Sequence, residues 1–298
     1  MVAETRPITM FHNWINKHHI VLKKGQRIHI LSQLFWNKIL YIKLGIFKSI
    51  HSIQHPIIHF YALCWNEERI LPFVLDYYGR FVDHITVYDN HSTDHSREII
   101  LSYPNTKVVE FGENEFDDTI HNDIKNNCWK QSRGKADFVV VCDMDEFLYS
   151  PDIKTSLEQL ISQRISVVQP EGYDMYSEDY PSYSKGHLIT DIVKHGIRSQ
   201  WFAKCILFDP HAVVEINYKP GAHECHPVGR INRSSTTGFK LLHYKNIGIK
   251  QTIQRIHTYA QRLSKENIEK ALGTHYLEDE QKQIEEFKNN ERQATEII

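Results

Sequence analysis

The fold of this chain is decided by the stretch Ala136-Asp137-Phe138-Val139-Val140-Val141-Cys142-Asp143-Met144-Asp145-Glu146-Phe147. Its apolar, β-branched run at 138–142 predicts a strand that is buried on both faces, as in a parallel sheet covered by helices. The chain turns acidic at the carboxyl end of this strand, where open α/β sheets bind their ligands. Hard oxygen donors at Asp143, Asp145 and Glu146 suit Mn²⁺ or Mg²⁺ held together with a phosphate group. An acidic turn that caps the next helix is the plainer interpretation.

Length and composition limit the class of protein. The 298 residues allow one large α/β domain or two small ones, and the net charge of −2 argues against a nucleic-acid binder. The five cysteines are scattered and odd in number, which predicts reduced thiols and a cytoplasmic location. No signal peptide opens the sequence and no run of about 18 uncharged apolar residues occurs, so we expect no membrane span.

Residues 1–55 form a basic, aromatic-rich N-terminal segment. It carries eight lysines and arginines against the single acid Glu4. Lys38, Lys43 and Lys48 interrupt its apolar residues, and the polar positions do not collect on one predicted helical face. The segment could lie on an anionic membrane surface as a peripheral contact, or pack against the following domain or a partner protomer.

Residues 57–147 alternate between strand and helix patterns, which predicts a parallel sheet with right-handed crossovers. Polar side chains follow three of the predicted strands: Asn66 and Glu67 after 57–64, Asp89 and Asn90 after 84–88, and Asp143 and Asp145 after 138–142. All three strand ends should line one crevice. Because no glycine-rich phosphate loop is present, a nucleotide here would be held by side chains and a metal.

The remainder predicts a smaller mixed β region followed by helices. Residues 170–185 are read as a loop, rich in tyrosine and carboxylates, which suits sugar binding and suits a plain surface loop equally well. Strands are predicted at 201–208, 212–216 and 239–243, and helices from 249 onward. We therefore divide the chain into the N-terminal segment 1–55, a main domain 56–248 and a C-terminal helical segment 249–298.

Four stretches together resemble the family-2-type glycosyltransferases of GT-A fold, in the branch whose metal motif reads D-x-D-E-F: Asn66-Glu67-Glu68, Leu71-Pro72, Val87-Tyr88-Asp89-Asn90-His91-Ser92-Thr93-Asp94 and Cys142-Asp143-Met144-Asp145-Glu146-Phe147. The resemblance is good over about 57–150, thinner at 200–276 and absent from 1–55. It implies a GT-A-like, Rossmann-type α/β fold with a mostly parallel sheet flanked by helices. It also implies a nucleotide-sugar donor together with Mn²⁺ or Mg²⁺, and a UDP-sugar is the first choice of donor. The acceptor hydroxyl would belong to a glycan, a lipid-linked glycan or a protein.

The resemblance also implies roles for single residues. Asn66 and Glu67 would meet the base and ribose, and Asp89, with Asn90 beside it, would meet the base. Asp143 and Asp145 would hold the ribose and the metal-bridged diphosphate, and His243 would complete the metal shell. The sequence departs from relatives at His91, where they carry glycine, and at Asn122-Asp123, where they show Arg-Asn.

Glycosyl transfer passes through an oxocarbenium-like transition state while negative charge builds on the leaving diphosphate. A metal would stabilise that negative charge, and Lys204, Lys245, Arg255 or Arg262 could contribute further positive charge. For any one of these four residues taken alone, a solvated surface cation is the favoured interpretation. An inverting reaction needs a carboxylate that accepts the proton of the acceptor. Glu224 is our first candidate, and Asp174 and Glu171 follow.

Four alternatives stay open at this point. A GT-A-like domain could act as a non-catalytic carbohydrate- or nucleotide-binding module, and a metal-dependent nucleotidyltransferase also uses acidic strand ends. His223, Cys225 and His226 carry zinc-type donors without an evident fourth ligand. Cys142 paired with a histidine would make a hydrolase, but a thiol inside the strand should be buried.

Overall fold

The computed structural model describes residues 24–113, 115–234 and 238–298. The first 23 residues of the predicted N-terminal segment therefore lie outside the described part. The helices are α1 (Lys24–Ile50), α2 (Leu71–Tyr78), α3 (Ser96–Leu101), α4 (Asp118–Asn127), α5 (Ile153–Ser162), α6 (Ile189–Ile192), α7 (Ile249–Arg262), α8 (Lys265–Glu269) and α9 (Glu280–Gln293). Short 3₁₀ turns occupy Cys128–Ser132, Gln200–Phe202, Pro220–Ala222 and Thr274–Leu277.

The first seven strands are β1 (Ile58–Cys64), β2 (His84–Asp89), β3 (Thr106–Glu110), β4 (Phe138–Asp143), β5 (Glu146–Tyr149), β6 (Val167–Val168) and β7 (Glu171–Ser177). The others are β8 (His195–Arg198), β9 (Leu207–Phe208), β10 (Val213–Glu215), β11 (Val228–Gly229), β12 (Arg233–Ser234), β13 (Lys240–Ile247) and β14 (Thr295–Glu296). They form a seven-stranded sheet, a five-stranded sheet and the β10–β11 pair.

The central sheet has the order β12-β6-β9-β4-β1-β2-β3. Strands β4, β1, β2 and β3 run parallel, whereas β9 is antiparallel to both β4 and β6. Residues 138–142 are all buried, as their apolar run predicts. The register pairs Leu63 with Asp143 and Cys64 with Asp89, so the polar strand ends lie side by side. The predicted α/β fold class, with a mostly parallel sheet flanked by helices and a smaller mixed β region, is confirmed.

The second sheet has the order β14-β8-β7-β13-β5. Strand β13 is antiparallel to β5 and parallel to β7, which places His243 opposite Glu146 on one side and Asp174 on the other. Strand β14, near the C-terminus, pairs with β8, so the chain end is attached to this sheet.

Two sequence predictions for residues 170–208 are wrong. The loop expected at 170–185 begins as strand β7, because its alignment with β13 and β8 supplies the hydrogen bonds that its composition does not suggest. The strand expected at 201–208 is instead a 3₁₀ turn followed by the two-residue β9. Gly172 lets this turn cross closely over β7, because a Cβ there would meet the backbone of Phe202 and Ala203.

Helix α1 packs at the edge of the central sheet where β1 and β4 begin. Leu44 is buried against Ile57 and Ala136, and Lys48 forms a 2.8 Å ion pair with Asp137, just ahead of those strands. Asn37 donates a 3.1 Å hydrogen bond to the carbonyl of His211. Among the described residues, no helix combines the length and the apolar character needed to cross a bilayer.

Candidate functional site

A cavity of about 510 Å³ opens off the carboxyl ends of β1 and β4 and is closed by α4, α7 and the second sheet. Its described lining is densely charged. The carboxylates are Glu67, Asp118, Asp143 and Asp145, and the cations are Lys125, Lys204, Lys245, Arg255 and Arg262. A wall of this kind suits a ligand that is itself highly charged.

Asp143 lies between two lysines. Lys125 Nζ is 2.7 Å from Asp143 Oδ1, and Lys204 Nζ is 3.5 Å from Oδ2 and 2.6 Å from Oε1 of the buried Glu146. Burial alone would raise the pKa of Asp143, but the two ammonium groups outweigh it, so the pKa lies well below its ordinary value. Burial likewise opposes the charge on Lys204, yet Glu146 and Asp143 hold its pKa above the usual range.

Arg255 on α7 bridges two of the acidic residues. Its guanidinium lies 3.0 Å from Asp145 Oδ2 and 3.1 Å from Glu67 Oε1. Burial favours the neutral form of Glu67 more strongly than Arg255 opposes it, which raises the pKa of Glu67 to about 7. Burial would also raise the pKa of Asp145, but Arg255 and His243 overcome it and the net shift is downward.

His243 is held in one orientation by Asp174. Its Nδ1 is 2.9 Å from Asp174 Oδ1, and its Nε2 is 3.6 Å from Asp145 Oδ2. Because a carboxylate accepts, Nδ1 carries the proton and the lone pair of a neutral ring lies on Nε2, toward Asp145. Phe202 stacks on the ring with the centroids 4.0 Å apart, which fixes the plane of the imidazole.

The residues around Asp145 fit a divalent cation held jointly with phosphate oxygens. Oδ1 of Asp145 is buried, and no described residue donates a hydrogen bond to it, which is costly unless another group binds there. A histidine whose second nitrogen is held by a carboxylate is a common arrangement at metal sites. No group of three or more His, Cys, Asp or Glu side chains within the described ranges is placed to hold a metal. The remaining ligands would have to come from substrate and water, as is usual for Mg²⁺.

Three of the residues predicted to contact the nucleotide form hydrogen bonds within the loops beside the cavity. Asn66 Oδ1 accepts a 2.7 Å hydrogen bond from the Thr93 amide, and the fully buried Asp89 accepts one of 2.5 Å from the Ser92 hydroxyl. Asn90 donates to the carbonyl of Phe111. Of the predicted nucleotide contacts, Glu67, Asp143 and Lys204 line the cavity. The role of all six in binding stays a prediction.

His91 occupies the position where relatives were expected to carry glycine. Its φ of +57° lies in the left-handed region that glycine adopts without strain. Its Nε2 lies 2.9 Å from the carbonyl oxygen of Gly112. This side-chain contact ties the turn to the next loop and helps hold a conformation that is otherwise unfavourable for histidine.

None of the three predicted catalytic carboxylates lines the cavity. Glu224 is exposed and lies 2.6 Å from His226, and Glu171 forms a 2.9 Å ion pair with Arg198. Asp174 faces His243 instead of the opening. Their proposed role as base stays a prediction.

Sequence reasoning singled out Asn122 on α4 but missed the helical face to which it belongs. Asp118, His121, Asn122 and Lys125 follow the i, i+3, i+4, i+7 spacing of one helical face, and all four line the cavity. His121 Nε2 and Asn122 Oδ1 are buried without a hydrogen-bond partner among the described residues. Burial and then Lys125 lower the pKa of His121 to about 4, so this ring is neutral near pH 7. The i, i+3, i+4, i+7 spacing of these polar residues is the sequence signal from which this face could have been predicted.

The zinc and hydrolase alternatives find no support in the geometry. His223 Nδ1 is 2.8 Å from the Trp201 carbonyl oxygen, His226 pairs with Glu224, and Cys225 Sγ lies 3.7 Å from Arg233. These side chains therefore face separate partners. Burial raises the pKa of the Cys142 thiol far above its ordinary value, which makes it a poor nucleophile.

Comparisons with solved structures found low similarity. S. aureus TarS (residues 1–349) aligns with a TM-score of 0.42 and 12% identity over 69% of this chain and 65% of that chain. The complex of TarS with UDP-GlcNAc aligns with a TM-score of 0.41 and 13% identity over 69% of this chain and 66% of that chain. GalNAc-T7 with UDP, GalNAc and Mn²⁺ aligns with a TM-score of 0.41 and 9% identity over 68% of this chain and 48% of that chain. This chain thus spans two thirds or less of the length of these proteins.

No curated protein sequence matches the chain. The sequence pattern described as glycosyltransferase family 92 does match it, over residues 62–296. The family-2 branch and the D-x-D-E-F motif stay predictions. The match begins within β1 and runs through β14, so it includes both sheets and the whole lining of the cavity. The chain therefore belongs to glycosyltransferase family 92.

Proposed function

We propose that this protein transfers a sugar from a nucleotide-sugar donor to an acceptor hydroxyl in glycan or polysaccharide synthesis. The observation that carries the proposal is the unpartnered, buried Oδ1 of Asp145, whose other oxygen lies 3.6 Å from the oriented Nε2 of His243, in a member of glycosyltransferase family 92. The cavity volume of about 510 Å³ falls in the range of small-ligand sites.

We propose Asp145 and His243 as the protein ligands of a Mn²⁺ or Mg²⁺ ion. When bound, the ion would stabilise negative charge on the departing diphosphate. Asp143, also expected as a ligand, has both oxygens near lysines, and we assign it to holding Lys125 and Lys204 at the cavity wall. UDP-sugar is our first choice of donor, since TarS was solved with UDP-GlcNAc and GalNAc-T7 with UDP and Mn²⁺.

Cations of the wall would bind and orient the diphosphate. Arg255 and Lys245 border the cavity beside Asp145, and burial followed by Arg255 lowers the pKa of Lys245. An anionic ligand would favour the charged form of Lys245 and raise its pKa again. Glu224, which lies outside the cavity lining, remains our first candidate for the carboxylate that accepts the proton of the acceptor. Asp174 is the second, and in that role it would have to give up its hydrogen bond with His243.

A non-catalytic binding module is the second candidate function. It is favoured by the ion pairs of the site, because Arg255 already neutralises Asp145 and two lysines neutralise Asp143. A site balanced in this way could bind a nucleotide sugar without promoting its reaction.

The acceptor and the location are also proposals. The acceptor is a glycan, a lipid-linked glycan or a protein, and nucleic acid is not expected. We propose a cytoplasmic protein that makes peripheral contact with a membrane through its N-terminal segment.

The test is a thermal-shift panel of UDP-, GDP- and CMP-sugars, each with and without Mn²⁺. We expect one donor to raise the melting temperature of the wild type only with Mn²⁺. The shift should vanish in Asp145→Asn and persist in the control Asp179→Asn, which alters an exposed carboxylate. Asp174→Ala should weaken the response to Mn²⁺ by about tenfold or more, because His243 loses the group that orients it.

Turnover of labelled donor then separates the two candidate functions. Release or transfer of the sugar by the wild type, lost in Asp145→Asn, supports the enzyme. A donor that binds and is never turned over favours the binding module. A folded protein that responds to no donor contradicts both.

A further inference from the structure

The exposed side of α1 is apolar along the whole helix. Its large apolar residues recur at spacings of three and four, so they share one face. We call this the outer face: Ile28, Leu31, Phe35, Ile39, Ile42, Ile46 and Ile50. All seven side chains are exposed, and a continuous apolar surface of this extent on a monomer marks an interaction site. We propose that the outer face of α1 docks on an anionic lipid surface.

The opposite side of α1 holds the helix on the protein. Ile30, Asn37 and Leu44 are buried at intervals of seven residues, and each lies about half a turn away from the outer face. Asn37 bonds to the His211 carbonyl, and the ring of Tyr41 contacts the ring of His211 at 5.3 Å. This attachment explains why the outer face points away from the rest of the protein.

The charge of α1 selects the occupant. Residues 24–50 contain no aspartate or glutamate. Lys38 and Lys43 are exposed on the two sides of the outer face, and Lys48 is engaged with Asp137. Lysine stems can lie along apolar surface while their ammonium groups reach phosphate headgroups. An apolar stripe bordered by cations, and not by mixed charges, is the pattern of a helix that lies in a membrane interface.

The length and the aromatic residues of α1 agree with this orientation. Twenty-seven residues form a rod of about 40 Å, long enough for a sustained in-plane contact. Trp36 and Phe47 are exposed next to the outer face, at the side of Lys43. Aromatic rings at the border of an apolar face favour the headgroup region of a bilayer.

The experiment measures sedimentation of the full-length protein with vesicles of phosphatidylcholine alone or mixed with phosphatidylserine. It uses no donor or metal, so its outcome is independent of the proposed sugar transfer. The inference rests on the proposed function only in that the membrane surface would be the place where the sugar is transferred. We expect binding to the mixed vesicles that weakens as salt is added. Lys38→Gln/Lys43→Gln should reduce the preference for phosphatidylserine.

The decisive variant is Phe35→Gln/Ile46→Gln, whose side chains are 62% and 56% exposed. Its matched control is Leu101→Gln/Ile268→Gln, at 62% and 57% exposure on α3 and α8. We expect vesicle binding to fall about tenfold or more in the first variant, which corresponds to about 1.4 kcal/mol, and to be unchanged in the second. Absence of vesicle binding in the wild type, or equal loss in both variants, would overturn the proposal. So would a dimer that the first variant dissociates, because a second copy would then cover the outer face.

Discussion

Lys204 is a buried cation on which two carboxylates of the site depend. Its ammonium group lies near both Asp143 and Glu146, and its side chain is almost fully removed from solvent. We expect Lys204→Met to lower the free energy of unfolding by about 3–5 kcal/mol, because it leaves buried negative charge uncompensated. Urea unfolding followed by circular dichroism measures the loss.

Lys130→Met is the control for this prediction. Lys130 also pairs with a carboxylate, Glu215, at 2.6 Å, but both side chains are partly exposed. Ion pairs of that kind contribute about 0–1 kcal/mol, so this variant should unfold nearly as the wild type does. Similar losses in the two variants would mean that Lys204 is less important to the site than its burial indicates.

At the scale of elements, the crossing of β7 by the turn at Gln200–Phe202 fixes the wall of the cavity. Gly172 allows it, since an added Cβ would stand 2.5 Å from the Ser199 carbonyl oxygen. We expect Gly172→Ala to destabilise the protein by about 1–3 kcal/mol, because β7 and the turn must separate. The measurement is thermal or urea unfolding, with donor binding by thermal shift as the second readout.

Gly45→Ala is the matched glycine substitution in α1. A Cβ at Gly45 meets nothing within 4 Å, and the backbone there is helical. This variant should be more stable by about 0.5–1 kcal/mol, because alanine loses less entropy in a helix. If Gly172→Ala also proved neutral or stabilising, the close crossing would have to relax easily.

The elements that the sequence predicts well are those whose own residues carry a clear pattern. Apolar runs in the sequence predict strands β1, β2 and β4 directly, and the polar residues at the ends of these strands predict the position of the crevice. Strand β7 is different, because Glu171-Gly172-Tyr173-Asp174 has no strand pattern and becomes a strand through its neighbours β13 and β8. The second sheet therefore depends on contacts that a single sequence does not display.

The same distinction applies to the site. Asp145 and His243 could be chosen from the sequence, one from its strand end and the other from a family resemblance. The pairing of Asp174 with His243 could not, since it depends on the register between β7 and β13. The exposed position of Glu224 and the inward face of α4 likewise follow from packing and not from composition.

At the scale of the whole molecule, half-buried histidines should make stability depend on pH. Burial is the first cause that lowers their pKa values, to about 4 for His59 and His121 and to about 3 for His223. Unfolding returns each pKa to about 6.5, so the unfolded state binds more protons between pH 6.5 and about 4. The free energy of unfolding should therefore fall as the pH is lowered through this window.

Glu67 acts in the opposite direction. Its folded pKa of about 7 lies above the unfolded value of 4.5, so it favours the folded state as the pH falls through that range. Three histidines outweigh one carboxyl, and we expect the free energy of unfolding measured with urea to decrease from pH 7.5 through pH 6 to pH 5. His121→Gln should reduce the slope. A stability that rises toward pH 5 would contradict the neutral state of these rings.

The position of α1 limits which acceptors a membrane-bound protein can use. Helix α1 lies where β1 and β4 begin, and the cavity lies where they end. The six residues of β4 separate the two by on the order of 20 Å. If α1 docks as proposed, the opening lies at the far end of these strands from the bilayer. The hydroxyl that accepts the sugar in the proposed reaction would then have to extend about that far from the bilayer. A long or freely diffusing chain meets this requirement, whereas a single sugar attached directly to a lipid does not.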